Sequence, residues 1–191
     1  ISFHVTGVQT CALPIFSALK EEGCTHILAA TACGSLRERI APGHFVFPDQ
    51  FIDRTTKRIN TFFDGSDVRH VSMGEPFSAG MRSCLVEACK RLGFEHHNGG
   101  TVVTIEGPRF STKAESMMFR SWGCDIINMS TVPEIVLARE LDLQYQSMAM
   151  STDYDCWHES EEEVTMEMIY AVMEKNVNNV KKLIEDRKSV V

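Results

Sequence analysis

The sequence predicts an α/β fold whose sheet is mixed but mainly parallel and is flanked by helices. Strand patterns and helix patterns alternate along the chain, which is typical of a parallel sheet covered by helices. Two apolar runs, residues 24–31 and 143–150, have the length of buried strands and lead into polar residues. Because open α/β sheets bind ligands where such strands end, we expect functional residues there.

The first elements are bounded by glycine and proline. Residues 17–22 form the last turn of a helix, and Gly23 ends it because glycine tolerates left-handed backbone. The strand at residues 24–31 follows, and a Pro-Gly turn leads into a second strand at residues 44–47. The polar residues 49–73 then predict a long surface loop.

Capping residues mark the middle of the chain. Ser78 can accept a hydrogen bond from the first turn of a helix that reaches Leu92. A Gly-Gly turn then leads into a strand at residues 101–106. The next helix starts at Ser111 or Thr112.

The last elements continue the alternation. Residues 125–128 form a short strand, and Pro133 begins a helix, since the first helical turn does not use the missing N–H. The strand at residues 143–150 comes next. A helix from residue 161 to about residue 184 has apolar residues near helical spacing.

Length and composition limit the classes of function. The 191 residues fit one domain with a real core, and 43% of them are hydrophobic. A net charge of −7 disfavours a nucleic-acid groove, which needs clustered lysine and arginine. No apolar run reaches the roughly 18 residues of a membrane span. Seven cysteines without a CxxC pair predict free thiols in a reducing cytosol, and the histidine spacing predicts no metal site.

Three motifs, in order along the chain, carry a resemblance to a known family. They are Thr104-Ile105-Glu106-Gly107-Pro108-Arg109-Phe110, Asn128-Met129-Ser130-Thr131-Val132-Pro133-Glu134 and Ser151-Thr152-Asp153-Tyr154-Asp155. The chain from about residue 17 to residue 185 resembles the methylthioadenosine phosphorylases, which are relatives of the purine nucleoside phosphorylases. The resemblance implies a phosphorylase/hydrolase-like fold and a homotrimer in the cytoplasm, with the nucleus as a second location.

The implied reaction is phosphorolysis of 5'-methylthioadenosine to adenine and 5-methylthioribose 1-phosphate, a pentosyl transfer in methionine and purine salvage. Inorganic phosphate is the co-substrate, and no cofactor is implied. Such a reaction needs an anion site below the ribose and a sugar that becomes cationic as its bond to the base stretches. It also needs a proton or hydrogen bond for the departing purine.

The segment Thr31-Ala32-Cys33-Gly34-Ser35 is the candidate anion site. It follows the first strand, and a glycine-containing turn there would direct backbone N–H groups toward an anion. Such a turn alone is more often a plain connection. The resemblance makes Thr31 and Ala32 phosphate-binding residues and adds the hydroxyl of Ser130, which is usually threonine in the family.

Asp153 and Asp155 are the candidate catalytic residues. A carboxyl group can hydrogen-bond both N7 and a 6-amino group of a purine, whereas an amide suits a 6-oxo purine, so adenine is the predicted base. Enclosure in an apolar pocket would raise the pKa of Asp153 toward the range of a general acid at N7. Asp155 would hold the amino group or position Asp153. An Asp-x-Asp pair in isolation is more often a turn.

The resemblance also implies substrate contacts. Met129 matches the residue under the ribose, Phe110 matches the aromatic wall beside the purine, and Asn128 and Thr152 belong to the same motifs. Ser111 stands where the 6-oxopurine enzymes carry a purine-binding glutamate. Alone, Met129 or Phe110 would more often be a core residue.

Two further sets are implied outside these motifs. The residues matching the family's pocket for the methylthio group are Met166, Ile169 and Tyr170. His70 matches a residue that reaches the substrate of a neighbouring subunit. Glu106 and Arg109 are predicted as a pair without an assigned role.

Both ends depart from the family's pattern. Residues 1–16 match nothing in it, and residues 186–191 leave it, which predicts loosely packed, non-native tails around one domain at residues 17–185. A genuine but divergent start is the alternative. The family's glycine-rich phosphate turn and its Arg-His pair, which belong to a further N-terminal portion, are not found in this sequence.

The sequence leaves two other functions open. One is a purine nucleoside phosphorylase for inosine or guanosine, which aspartate rather than asparagine at position 153 disfavours. The other is a catalytically inactive nucleoside-binding fragment, which the absent phosphate-binding motifs favour. Phosphorolysis by the purified chain would separate an enzyme from such a fragment.

Overall fold

The computed structural model describes residues 8–65, 67–159 and 166–187. Within these ranges, five helices accompany one sheet of seven strands. The strands are β1 (His26–Ser35), β2 (Phe45–Phe47), β3 (Gln50–Arg54), β4 (His96–Asn98), β5 (Thr101–Ile105), β6 (Ile126–Asn128) and β7 (Gln144–Tyr154). The helices are α1 (Val8–Glu21), α2 (Ala79–Leu92), α3 (Lys113–Ser121), α4 (Thr131–Glu140) and α5 (Met166–Arg187).

The sheet confirms the predicted α/β class. Its strand order is β3-β5-β6-β1-β7-β2-β4. Among the described strands, four pairings are parallel, and the pairings of β1 with β6 and of β2 with β7 are antiparallel. The long strands β1 and β7 run side by side through the centre, so their carboxyl ends lie next to each other.

Local signals place the helices close to their predicted positions. Ser78 caps α2, and Thr112 with Glu115 forms a capping box at the start of α3. In α4 the regular helix begins at Pro133, since Val132 has an extended backbone. No helix in the described ranges combines the length and apolar character needed to cross a bilayer.

Two predicted strand ends are wrong because sheet pairing extends the strands. β1 continues through Ser35, so residues 31–35 are strand and not a glycine turn. They pair with β7, and Gly34 and Ser35 also pair with β6. β7 continues to Tyr154, which places Asp153 inside the strand. Much of β1 is half-buried or exposed, so its apolar run does not make it a fully buried strand.

Two edge strands differ from the sequence prediction. The segment predicted as a surface loop, residues 49–73, contains β3, which pairs with β5 at one edge of the sheet. β4 has no counterpart among the predicted strands and pairs with β2 at the other edge. Both strands are short and carry polar residues, so their backbone pairing leaves little pattern in the sequence.

The core extends into the segment predicted as a loose tail. Ala12 and Phe16 of α1 are 8% and 5% exposed, and they share an apolar cluster with Ile135 and Leu137 of α4. Loose packing is therefore wrong for this part of residues 1–16, because α1 buries an apolar face against the domain. Residues 1–7 and 188–191 lie outside the described ranges.

Candidate active site

A cavity of about 400 Å³ lies where β1, β5, β6 and β7 end. It brings together ten of the side chains that the sequence proposes for the site. They are Thr31, Ala32, Phe110, Ser111, Asn128, Met129, Ser130, Thr152, Asp153 and Asp155. The cavity gathers residues from distant parts of the chain because β6 runs antiparallel to β1 and turns its end back toward Thr31. The roles assigned to these residues remain predictions.

Two hydroxyl groups meet at one side of the cavity. The Oγ atom of Ser130 lies 2.6 Å from the Oγ1 atom of Thr31, although the residues are 99 positions apart in the chain. Thr31 projects from within β1, so the glycine turn predicted at residues 31–35 is not formed there. The polar groups that the structure presents at this point are therefore paired hydroxyls.

Buried hydrogen bonds hold the turn that carries Met129 and Ser130. The amide oxygen of Asn128 accepts from the Thr104 hydroxyl at 3.0 Å, and its nitrogen donates to the Thr131 hydroxyl at 2.8 Å. Asn128 is 6% exposed, and its side-chain groups are engaged within the protein. Its geometry is therefore that of a residue that orients the turn.

The two carboxyl groups face the cavity from the end of β7. Burial raises the pKa of Asp153, a hydrogen bond from the Thr152 hydroxyl opposes the rise, and the charge of Asp155 adds to it. The Thr152 Oγ1 atom lies 2.6 Å from Asp153 Oδ1. Burial also raises the pKa of Asp155, and the neighbouring Ser116 hydroxyl and Cys156 N–H oppose the rise. Asp155 lines the cavity, but its Oδ2 atom is buried.

Because Gly34 has no side chain, it leaves space for the Asp153 carboxyl group. The register of β1 against β7 shifts between Cys33 and Gly34, just beside Asp153. A Cβ atom at position 34 would lie 3.1 Å from Ile127 Cγ2 and 3.3 Å from Asp153 Oδ2. Those distances are tighter than normal contacts, so a larger residue would require Ile127 and the Asp153 carboxyl group to shift by a few tenths of an ångström.

We therefore expect Gly34→Ala to weaken binding of adenine by about tenfold, since small displacements of positioning groups are costly. Isothermal titration with adenine measures this effect. Gly80→Ala is the matched control, because nothing lies within 4 Å of a Cβ atom there. Equal adenine affinity for Gly34→Ala and the parent would show that Asp153 does not depend on this space.

The loop after β5 closes over Met129. Gly107 has a φ of 68°, and a Cβ atom there would lie 2.5 Å from the Met129 sulfur, so the approach requires glycine. Phe110 lines the cavity although it is 56% exposed. The Ser111 hydroxyl is buried and has no hydrogen-bond partner in the described structure.

Glu106 and Arg109 do not pair, so that prediction is wrong. The guanidinium of Arg109 contacts both carboxylate oxygens of Glu115 at 2.7 Å. This contact, with the capping hydrogen bonds from Thr112, lowers the pKa of Glu115 to about 2. Glu106 instead accepts hydrogen bonds from the backbone N–H groups of Thr56 and Lys57. The capping box holds the Glu115 carboxylate next to the Thr112 backbone, three residues from Arg109 in the chain, where Arg109 contacts it.

The remaining predicted residues do not reach the described cavity. His70 is exposed in the connection between β3 and α2 and is absent from the cavity lining. The side chains of Met166, Ile169 and Tyr170 on α5 lie outside the described residues. A methylthio pocket and a contact between subunits therefore stay predictions.

Sequence reasoning missed Arg58, whose side chain is only 3% exposed. It lies beneath the loops that carry Phe110 and Met129 and contacts their main chain. Most of its neighbours in the sequence are polar, so nothing local distinguishes it from a solvated loop arginine. The lining of the cavity itself includes two aspartates and, among the described residues, no lysine, arginine or histidine.

Comparison with known proteins agrees with the fold and the arrangement of the site. Residues 6–186 match the phosphorylase superfamily. The S-methyl-5'-thioadenosine phosphorylase of Danio rerio is 56% identical over 172 residues, which cover 87% of this chain and 61% of that protein. The chain therefore spans about three fifths of the length of this relative.

Solved structures give the same result. The methylthioadenosine phosphorylase of Schistosoma mansoni in complex with adenine superposes with a TM-score of 0.89 at 40% identity, over 94% of this chain and 69% of that one. A variant of the S. mansoni adenosine/methylthioadenosine phosphorylase in complex with methylthioadenosine gives a TM-score of 0.87 at 39% identity, over 94% and 68%. The chain thus belongs to the phosphorylase superfamily and, within it, to the methylthioadenosine phosphorylase family.

Proposed function

We propose that the protein catalyses phosphorolysis of 5'-methylthioadenosine, which yields adenine and 5-methylthioribose 1-phosphate. The observation that carries the proposal is the polarity of one cavity. Buried carboxyl groups with raised pKa values lie at one side, and the paired hydroxyls of Thr31 and Ser130 lie at another. The S. mansoni relatives in complex with adenine and with methylthioadenosine support the same substrate class.

The arrangement can serve each demand of the reaction. Phosphate would lie at Thr31, Ala32 and Ser130, and Met129 would lie under the ribose. A phosphate oxygen forms the new bond to the anomeric carbon as the bond from that carbon to N9 breaks. The electron pair of the broken bond goes to the purine, and Asp153 gives its proton to N7, so adenine leaves neutral.

The raised pKa of Asp153 explains why a carboxyl group could act as this acid. An exposed aspartate is almost fully ionised near neutral pH, whereas burial keeps more of Asp153 protonated. Asp155 lines the same cavity, and its carboxyl group would accept from the 6-amino group. A 6-oxo purine offers no donor there, so the pair favours adenine over hypoxanthine.

The charge of the cavity supports a second candidate, which is nucleoside binding without efficient turnover. Among the described residues, its lining supplies hydroxyls but no cationic side chain for the phosphate dianion. Losing a charged or strong donor from an anion site typically lowers rates by about 10²–10³-fold. Adenine would still bind, because its proposed contacts are Phe110, Asp153 and Asp155.

Ser130→Ala tests the proposed anion site. The substitution removes a hydroxyl that would donate to phosphate, and hydrogen bonds to charged groups contribute about 1.5–3 kcal/mol. We expect the phosphate KM to rise by about tenfold or more, with a smaller change in nucleoside KM. Ser83→Ala on the exposed face of α2 is the control. An unchanged phosphate KM would place the anion elsewhere.

The decisive assay follows adenine release from methylthioadenosine and phosphate. Release that requires both substrates establishes the phosphorylase activity. Adenine binding without release supports the second candidate. Cleavage of inosine as fast as methylthioadenosine would contradict the assignment of Asp153 and Asp155 to a 6-aminopurine.

We also propose that the protein forms a homotrimer and is located in the cytoplasm, with the nucleus as a second location. Large apolar side chains at the surface support assembly, among them Phe110, Met117 and Trp122 at 56%, 51% and 45% exposure. The six cysteines whose side chains are described are free thiols, which fits a reducing compartment. Analytical ultracentrifugation would determine the number of subunits.

A further inference from the structure

We infer that Arg58 is a positioning residue that sets the phosphate side of the cavity. The inference rests on the proposed function for its site, but its evidence is separate from the residues that line the cavity. Arg58 belongs to the connection between β3 and α2, far in sequence from both loops that it contacts. It also lies outside the three motifs that indicate the family.

The first observation is that the Arg58 guanidinium donates hydrogen bonds to main-chain carbonyl groups of two segments that are far apart in the chain. One terminal nitrogen, Nη1, donates to the carbonyl oxygen of Met129 at 2.6 Å and to that of Val132. The other, Nη2, donates to the carbonyl oxygens of Ile105 and Glu106 at 3.1 and 2.9 Å. One side chain therefore joins the end of β5 to the turn between β6 and α4.

The second observation is burial. The Arg58 side chain is 3% exposed, and its Nε atom lies 3.5 Å from the Glu106 carboxylate. A buried guanidinium needs hydrogen-bond acceptors around it, and the four carbonyl groups supply them. Without Arg58, each of the four carbonyl groups would lose one hydrogen-bond donor, and the loss of buried hydrogen bonds is costly.

The third observation links this contact to the proposed chemistry. Met129 and Ser130 are adjacent, and the Ser130 hydroxyl lies 2.6 Å from Thr31. The Met129 carbonyl carbon is bonded to the Ser130 nitrogen. Holding this carbonyl in place therefore also holds the backbone of Ser130, the residue that would contact phosphate. Asp153 lies in β7 and Asp155 follows its end, and none of the Arg58 hydrogen bonds reaches this segment.

This separation predicts an unequal effect on the two ends of the cavity. Lysine at position 58 would keep the charge but would lack the planar fork that spans both loops. We therefore expect Arg58→Lys to raise the phosphate KM, or the phosphate Kd, by about tenfold or more, as for a misplaced contact. Adenine affinity should change by less than about threefold, because Asp153 and Asp155 keep their positions and Arg58 holds the other loop at Ile105 and Glu106, several residues before Phe110.

The experiment compares Arg58→Lys and Arg58→Met with Arg139→Met. Arg139 is the matched control because it also donates to a main-chain carbonyl of the same connection, that of Ser72 at 3.2 Å. Each variant is titrated with inorganic phosphate and, separately, with adenine, and its phosphorolysis kinetics and melting temperature are measured. The phosphate affinity of Arg58→Lys should lie between that of the parent and that of Arg58→Met.

The outcomes distinguish the inference from the proposed function. A parent protein that binds adenine and phosphate but does not release adenine contradicts the proposed activity and leaves the binding test of Arg58 intact. Unchanged phosphate affinity in Arg58→Lys would overturn the inference. Equal losses of phosphate and adenine affinity, in step with a lowered melting temperature, would also overturn it, because they indicate general destabilisation.

Discussion

Asp153→Asn is expected to lower the rate of adenine release from methylthioadenosine by about 10²- to 10⁴-fold, the usual contribution of a general acid. Asparagine keeps the size of the side chain and cannot give a proton to N7. It can donate to a 6-oxo group, so the rate on inosine relative to methylthioadenosine should rise. Steady-state kinetics with both nucleosides at saturating phosphate measure these changes.

The same variant should not be less stable than the parent near neutral pH. Burial raises the pKa of Asp153 in the folded chain, so the folded state binds more protons than the unfolded state between the two pKa values. The free energy of unfolding contributed by this group therefore falls as pH rises through that interval. Asparagine does not ionise, so it avoids this loss of unfolding free energy. The melting temperature of Asp153→Asn should therefore equal or exceed that of the parent.

The control for Asp153→Asn is Asp142→Asn, which makes the same change of charge on the exposed turn between α4 and β7. Asp142 has a φ of 54°, a conformation that asparagine also tolerates. A parent rate that falls at high pH, with this fall absent in Asp153→Asn, would identify the acid. Full activity of Asp153→Asn on methylthioadenosine would refute the assigned role.

Phe16→Ala is expected to destabilise the protein by about 3–5 kcal/mol, the range for removing a buried aromatic ring. The ring is 5% exposed and packs in the cluster that includes Ile135 and Leu137. For a chain of this length, we expect the melting temperature to fall by about 6–20 °C. Denaturant unfolding and calorimetry measure the two quantities.

The neighbouring residue supplies the control. Ile15 is 52% exposed, and Ile15→Ala should change the stability by no more than about 0.5 kcal/mol. Two similar, small effects would show that α1 is not anchored in the core. The comparison also decides whether the segment up to residue 16 can be removed, as the sequence alone would suggest.

Much of the fold and site could be predicted because the signals were local. Ser78, Thr112 and Pro133 mark helix starts through their own hydrogen-bonding properties, and all three stand at the observed starts. The apolar run at residues 143–150 likewise indicates β7, although the strand continues past it through Asp153. The β-strand signal is weaker at sheet edges, so β3 and β4 were not predicted.

The rest depended on contacts between distant segments. Thr31 and Ser130 are neighbours only because β6 runs antiparallel to the end of β1. Arg58 resembles any polar loop arginine until β5 and β6 place four carbonyl groups around it. Its burial is a property of the assembled sheet and leaves no local pattern.

By itself, the sequence determined the alternation of strands and helices, the helix starts and the presence of two carboxyl groups at residues 153 and 155, since each depends on short-range preferences or on side-chain type. Only the tertiary structure decided how far β1 and β7 extend, that Phe16 is buried, and that Arg109 pairs with Glu115. These outcomes follow from competition among partners that are far apart in the chain, and only the folded arrangement brings those partners within reach.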